Sequence, residues 1–396
     1  MKFLIPAFLC FLPSGLFAQF SGSITQGQGT TTSANLLPNC PSNHVTPLGT
    51  ITSTDSKIWV VPAETRFQTG PFAADLHNTC NQVAPANLAA ANLSNVPVTE
   101  IDANGDIITG YLFADNYFEL YINGVLVGVD AVPFTPFNSS VVRFKVSRPY
   151  TIAVKLVDWE EHPGLGSEIQ AGDNYHPGDG GFIAQFSDGT VTNANWKVQT
   201  FYIAPLQNVN DVQELTNGVR SSANATLTPT CNQNCFGVHY PIPSDWNTAS
   251  FEDGGWPQAS LYTAAQVTNQ PAYTNFANSA WGSASFIWSS NLILDNLVLA
   301  RFMVPALTDV SALQKSASRF RIQLNPALKG FSILNEANGS KPLEAKSLRI
   351  ISSTGIQLME IKNPSLITDI HSIPSGIYFV QFEYENQLYS EKLFVP

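Results

Sequence analysis

The chain has 396 residues, with 19 Lys and Arg against 30 Asp and Glu, for a formal net charge of −11. An acidic surface excludes nucleic acid and anionic membranes as partners, because binding phosphate needs cations. Only 12% of residues are charged, whereas Gly and Pro number 26 each and Phe 25, a composition that favours an extracellular all-β protein over a helical cytosolic one.

Residues 1–18 read as a signal peptide. Met1-Lys-Phe-Leu-Ile starts an apolar run to Phe17, and Leu16-Phe-Ala18 precedes a cleavage point near Gln19. Beyond it no stretch approaches about 18 uninterrupted apolar residues, so no membrane span is predicted after signal removal. Four cysteines remain, Cys40, Cys80, Cys231 and Cys235. An even count in an exported chain favours two disulfides, although three pairings are open. Cys231-Asn-Gln-Asn-Cys235 can close a tight loop, leaving Cys40 with Cys80. The rival reading is a metal knuckle of Cys231, Cys235 and His239, which lacks the second ligand pair that zinc wants.

Residues 19–50, and Gln19 to Asn39 above all, are rich in Gly, Ser, Thr and Gln and are predicted to be a flexible leader. Residues 51–307 form the β-sandwich region. Lys57-Ile-Trp-Val-Val-Pro is a strand stopped by Pro62. Asn104-Gly105 sits at the centre of residues 99–109 and predicts a hairpin there. Tyr117-Phe-Glu-Leu-Tyr-Ile alternates, with Phe118, Leu120 and Ile122 on one face, and Asn123-Gly124 makes the next tight turn. Val142, Phe144 and Val146, then Ile152, Val154 and Leu156, repeat the period of two. Short strands with turn residues between them predict a sandwich.

Ala114-Asp-Asn-Tyr-Phe-Glu-Leu-Tyr-Ile-Asn-Gly-Val-Leu-Val-Gly128 resembles the central hairpin of the galactose-binding-like jelly-roll superfamily. Asp245 to Ala259, with Trp246, Phe251 and Trp256, resembles that superfamily's tryptophan-bearing edge segment. Ser285-Phe-Ile-Trp-Ser-Ser and Asp295 to Phe302 are similar to another of its segment pairs. The usual order is reversed here, which implies a permuted jelly roll or two packed sandwich units. The resemblance implies an accessory module of the kind found on secreted glycosidases and adhesins, and supports the fold more than any binding residue.

Residues 308–318 are predicted to be a linker and residues 319–396 a small separate β-unit. Leu348-Arg-Ile-Ile-Ser-Ser-Thr-Gly355, Ile373-Pro-Ser-Gly-Ile-Tyr-Phe-Val380 and Tyr389-Ser-Glu-Lys-Leu-Phe-Val395 resemble the C-terminal sorting domain of the type IX secretion system of Bacteroidetes-type bacteria. That resemblance implies an Ig-like sandwich, the secretion machinery as partner, and a destination that is secreted or on the outer-membrane cell surface.

The densest polar cluster is Asp158-Trp-Glu-Glu-His162, continued by Glu168, Asp173, His176 and Asp179 on a Gly- and Pro-rich loop after the strand Thr151 to Val157. A loop of that length on a rigid sandwich is where binding residues usually reside. Trp159, Glu160, His162 and His176 are the ligand-binding candidates, with Trp159 able to stack on a sugar ring. Asp173 and Asp179 are candidate Ca²⁺ ligands, since calcium prefers 6–8 oxygens. The plain alternative is a solvated loop with a core tryptophan. Asp158 and Glu160 would share a face if the strand continued, but no third element orients them as a glycosidase pair. Asp102 to Asp106 opens like a calcium loop, yet no bidentate acid follows. Gly178-Asp-Gly-Gly181 lacks the lysine of a phosphate loop. Trp246, Trp256, Trp281 and Trp288 suit a buried core or an aromatic platform. No catalytic residues are assigned. The expected function is non-catalytic glycan binding. The alternatives are a polysaccharide hydrolase and a structural adhesin or matrix protein.

Overall fold

The computed structural model describes residues 21–40, 44–134, 137–215, 217–268, 270–306, 320–325, 329–336, 339–352, 357–385 and 387–395. The expected signal peptide and the linker at 308–318 lie outside the described residues. The chain divides into two units, Met1–Val304 and Pro305–Pro396.

The larger unit is an all-β sandwich of two seven-stranded sheets. In the first, strands Ser23–Gln26, Phe236–His239, Lys197–Leu206, Asp295–Val304, Tyr150–Val157, Tyr117–Ile122 and Val125–Val129 lie side by side in that order. In the second the order is Ser260–Tyr262, Phe286–Trp288, Gly181–Phe186, Asp106–Asp115, Ser139–Val146 and Ala74–His77, with Val98–Glu100 also along Ser139–Val146. The segments at Phe286–Trp288 and Asp295–Val304 join these same two sheets.

Period-two alternation dictates which side chains meet between the sheets. Phe118, Leu120 and Ile122, beside Val154 and Leu156 of the neighbouring strand, share one apolar core with Phe144 and Ala184 of the second sheet. Each such side chain contributes roughly 1.5–3 kcal/mol on burial. The opposite face of the first sheet is also closed. Tyr117, Tyr121, Ala153 and Val157 pack beneath Ala63, Phe67 and Trp246, so every residue of Tyr117–Ile122 is buried.

Asn123 and Gly124 adopt φ of 49° and 84°, the left-handed pair that a two-residue hairpin turn requires. Both disulfides form in the pairing expected from spacing, Cys40–Cys80 and Cys231–Cys235, with Cα–Cα distances of 4.8 and 4.9 Å. His239 is buried instead of bound to metal, stacked on Tyr202 at 4.3 Å with Nε2 3.1 Å from the Thr25 hydroxyl.

Two local expectations are corrected. Residues 19–39 are not a flexible leader throughout, because Ser23–Gln26 pairs antiparallel with Phe236–His239 and Thr30–Ser33 with Leu48–Thr52. Their polarity hid them. Ser23 and Thr25 are buried polar side chains whose hydroxyls find partners in Asp55 and in His239. The Asn104-Gly105 turn forms, with Gly105 N–H bonded to Asp102 carbonyl at 3.0 Å, but it makes no hairpin. Val98–Glu100 and Asp106–Asp115 instead flank Ser139–Val146 on either side, so the turn arches over that strand's end. A Cβ on Gly105 would collide with the Val146 backbone.

The smaller unit has two four-stranded sheets. One holds Phe320–Asn325, Gly330–Asn335, Lys341–Pro342 and Thr368–Asp369. The other holds Gln357–Lys362, Ser347–Ser352, Gly376–Tyr384 and Gln387–Val395. Tyr378, Val380 and Phe382 point into its core with Leu348, Ile350, Tyr389 and Leu393, while the alternate Ile377 and Phe379 are exposed.

Candidate binding cavity

At one end of the sandwich the chain steps from the second sheet to the first. Asp106–Asp115 ends, a cis peptide bond joins Asp115 to Asn116, and Tyr117–Ile122 begins. Asn116 is the joint. Its backbone N–H bonds Val157 carbonyl at 3.2 Å. Its side chain donates to Asp115 Oδ1 at 2.9 Å and accepts from Trp159 N–H at 2.5 Å. Asp158 follows the end of Tyr150–Val157, and Asp179 precedes Gly181–Phe186, whose first residue pairs with Asp115. Three strand ends thus bring three carboxyls to one place.

A cavity of about 310 Å³ lies there, lined by Asp115, Asp158, Glu168 and Asp179 together with His44, Asn116, Phe137, Gln170, Gly178, Val267, Thr268 and Gln270. Glu168 and Gln170 come from a hairpin in which Glu168–Gln170 pairs with Asp173–His176. Val267 and Thr268 come from the end of a short helix, Ala264–Val267, and its cap. Glu161 clasps two walls, accepting from Val45 N–H at 3.2 Å and Ile169 N–H at 2.6 Å, with His44 Nδ1 3.3 Å away. Gly178 is needed for packing, since a Cβ there would stand 2.7 Å from the Asp158 carboxylate.

Asp115 is 1% and Asp158 5% exposed. No Lys or Arg among the described residues offsets any of the four carboxyls. Burial, then the neighbouring acids, pushes Asp115 and Asp158 well above the usual carboxylate range. Burial likewise lifts Glu168 to about 7, with Glu161 and Asp179 adding to it, and lifts Asp179 to about 6. The Asp115 and Asp179 carboxyls lie within hydrogen-bond reach of each other, and among the described residues no donor reaches the Asp158 carboxylate. A cleft of desolvated acids is a functional-site candidate.

The sequence candidates disperse around this cavity. Asp179 lines it. Asp173 is exposed in the hairpin turn, accepting from Tyr175 N–H at 2.9 Å. Trp159 is 1% exposed, set edge-on to Tyr117, and donates Nε1–H to Pro47 carbonyl at 3.0 Å. Glu160 is buried beneath its own loop, where Gly164 and Gly166 N–H and the Tyr202 hydroxyl donate to it. Burial raises it to about 7. Asp158 and Glu160 therefore part company. His162 lies against Tyr175, 5.2 Å between ring centroids, with Nδ1 3.1 Å from Ser167 carbonyl. His176 is half-buried, paired in register with Glu168. Trp281 and Trp288 belong to the intersheet core and Trp246 to the outer one, with Trp256 packed against it.

Asp115, Asn116, His44, Thr268 and Gln270 were invisible to the loop argument because they arrive from remote stretches. Among the described residues, no group of three or more His, Cys, Asp or Glu side chains could hold a metal ion by itself. No family model matches the chain, and no curated protein matches it either.

Proposed function

We propose that the protein is a secreted or cell-surface, non-catalytic binding protein for carbohydrate, with the Asp115–Asp158–Asp179 cavity as its ligand site. The observation that carries this reading is a polar cavity at the sandwich end whose carboxyls have no Lys or Arg partner among the described residues. Carboxyl and amide side chains such as Gln170 and Gln270 suit the paired hydroxyls of a sugar, and Phe137 offers it an apolar face. Binding of the mature chain to a glycan array tests this. Ring-specific binding that Asp179→Ala abolishes is the expected result, and turnover of a polysaccharide panel without retained binding would overturn it in favour of a hydrolase.

Calcium is part of the proposal on Asp179, with backbone and ligand oxygens needed to complete its shell. Repeating the array with EDTA and with restored Ca²⁺ tests that part alone. Export through the type IX machinery is proposed on the resemblance of residues 319–396, supported by a compact β-unit of their own. A chain lacking 319–396 should stay inside the cell while the larger unit still folds.

A further inference from the structure

We infer that the outer face of the first sheet holds a second binding site, a cleft that takes an extended, uncharged oligosaccharide chain. The inference shares the ligand class proposed above but not the site. The segments that cover this face do not fill it. Two cavities adjoin there, one of about 260 Å³ and one of about 730 Å³, and Glu64 and Ile242 line both. Their floor takes one side chain from each of six neighbouring strands. His239, Tyr202 and Leu297 line the smaller cavity, and Lys155, Tyr121 and Leu126 the larger. Register sets Tyr202 opposite both His239 and Leu297, and Tyr121 opposite Leu126, so the floor runs across the strands. At the usual strand spacing six strands span about 24 Å. The segments 58–71 and 240–247 each contribute to both cavities and wall the cleft along its length.

The lining selects the ligand class. Arg66 and Lys155 are matched by Glu64 and by Glu119, whose carboxylate lies 3.4 Å from Lys155 Nζ, so the cleft has no net charge to favour an ion. Burial lowers His239 to about 3 and keeps its ring neutral. Thr65, Thr69, Ser244 and Asn247 bring hydroxyl and amide groups to the wider half. Trp59, half-buried and stacked on His239 at 5.2 Å, brings an aromatic surface to the narrower one. Such groups beside an aromatic ring suit the polar rim and apolar face of a sugar. A peptide that adds to a sheet pairs along an edge strand, whereas this cleft crosses strands that already pair with one another.

The test is calorimetry of the mature full chain with linear glucose and mannose oligomers in β-1,4, β-1,3 and α-1,4 linkage, each as dimer and hexamer. In at least one series the hexamer, which reaches both halves, should bind about tenfold or more tightly than the dimer. Trp59→Ala in the narrower half and Asn247→Ala in the wider should each cut that gap below about threefold. Ile58→Arg, at a lining position 71% exposed, replaces Trp59→Ala should that variant misfold. A gap kept in Asp179→Ala but lost in both cleft variants supports the cleft. A gap lost in Asp179→Ala but kept in both cleft variants overturns the cleft and leaves the acidic cavity standing as the carbohydrate site. Equal binding of dimer and hexamer in every series overturns the cleft, as does a response to variants in one half alone. Binding of a polyproline peptide but of no oligosaccharide overturns both the cleft's ligand class and the carbohydrate reading, and an absence of all binding does the same.

Discussion

Asp158 and Glu160 stand two residues apart and meet opposite fates. Glu160 sinks into its loop and is satisfied by two backbone N–H groups and a tyrosine, whereas Asp158 faces a cavity among other acids. Both titrate high, and that fixes how stability should follow pH. A carboxyl raised in the folded state contributes stability that is fully present below its ordinary value and is lost as pH rises through the folded one. For Glu160 and Glu168 that loss runs from about pH 4.5 to about 7, and for Asp179 from about 3.8 to about 6. His239 works the other way. Burial lowers it to about 3, so its contribution is intact above its ordinary value near 6.5 and erodes as pH falls. The melting temperature should therefore rise on acidification from about pH 7 to about 5, then fall below about 4. A flat or rising profile between about pH 5 and 7 in scanning calorimetry would contradict the burial of these acids. Asp158→Asn should raise the midpoint at pH 8 by about 2–4 °C, because it removes a buried like charge.

At the scale of elements, alternation was legible and connection was not. Tyr117–Ile122 showed its period of two plainly, yet nothing in it said that a loop through Phe67 would bury the second face as well. Asn104-Gly105 announced a turn truthfully but not the strand that slides between its arms, because pairing partners are chosen by packing far along the chain. Gly105→Ala should cost about 1–3 kcal/mol in denaturant unfolding through overpacking on Val146, and a neutral result would argue against the arch. The strand Ser23–Gln26 was missed because its core-facing residues are hydroxyls, which read as loop. Thr25→Val should destabilise by about 1–3 kcal/mol by stranding the His239 ring nitrogen. A truly flexible leader would show no change.

For the molecule as a whole, the sandwich class and the disulfide pairing were readable from spacing and composition. The cavity was half readable. Asp158, Glu168 and Asp179 share one loop and its anchoring strand end, so local sequence exposes them together. Asp115 and His44 come from about forty residues and more than a hundred residues upstream of that loop, and only the folded sheets bring them in. The Cys40–Cys80 bond ties the start of that upstream stretch to the second sheet's flank, four residues before His44. Replacing both cysteines by serine should weaken ligand binding about tenfold while shifting far-ultraviolet circular dichroism little. The same change at Cys231 and Cys235 should leave affinity within twofold. Oxidation then acts as an assembly checkpoint. A chain whose thiols were still free would keep its two sheets and the Glu161 clasp at Val45 but would lack the covalent tie four residues before His44, and full grip would wait on a disulfide.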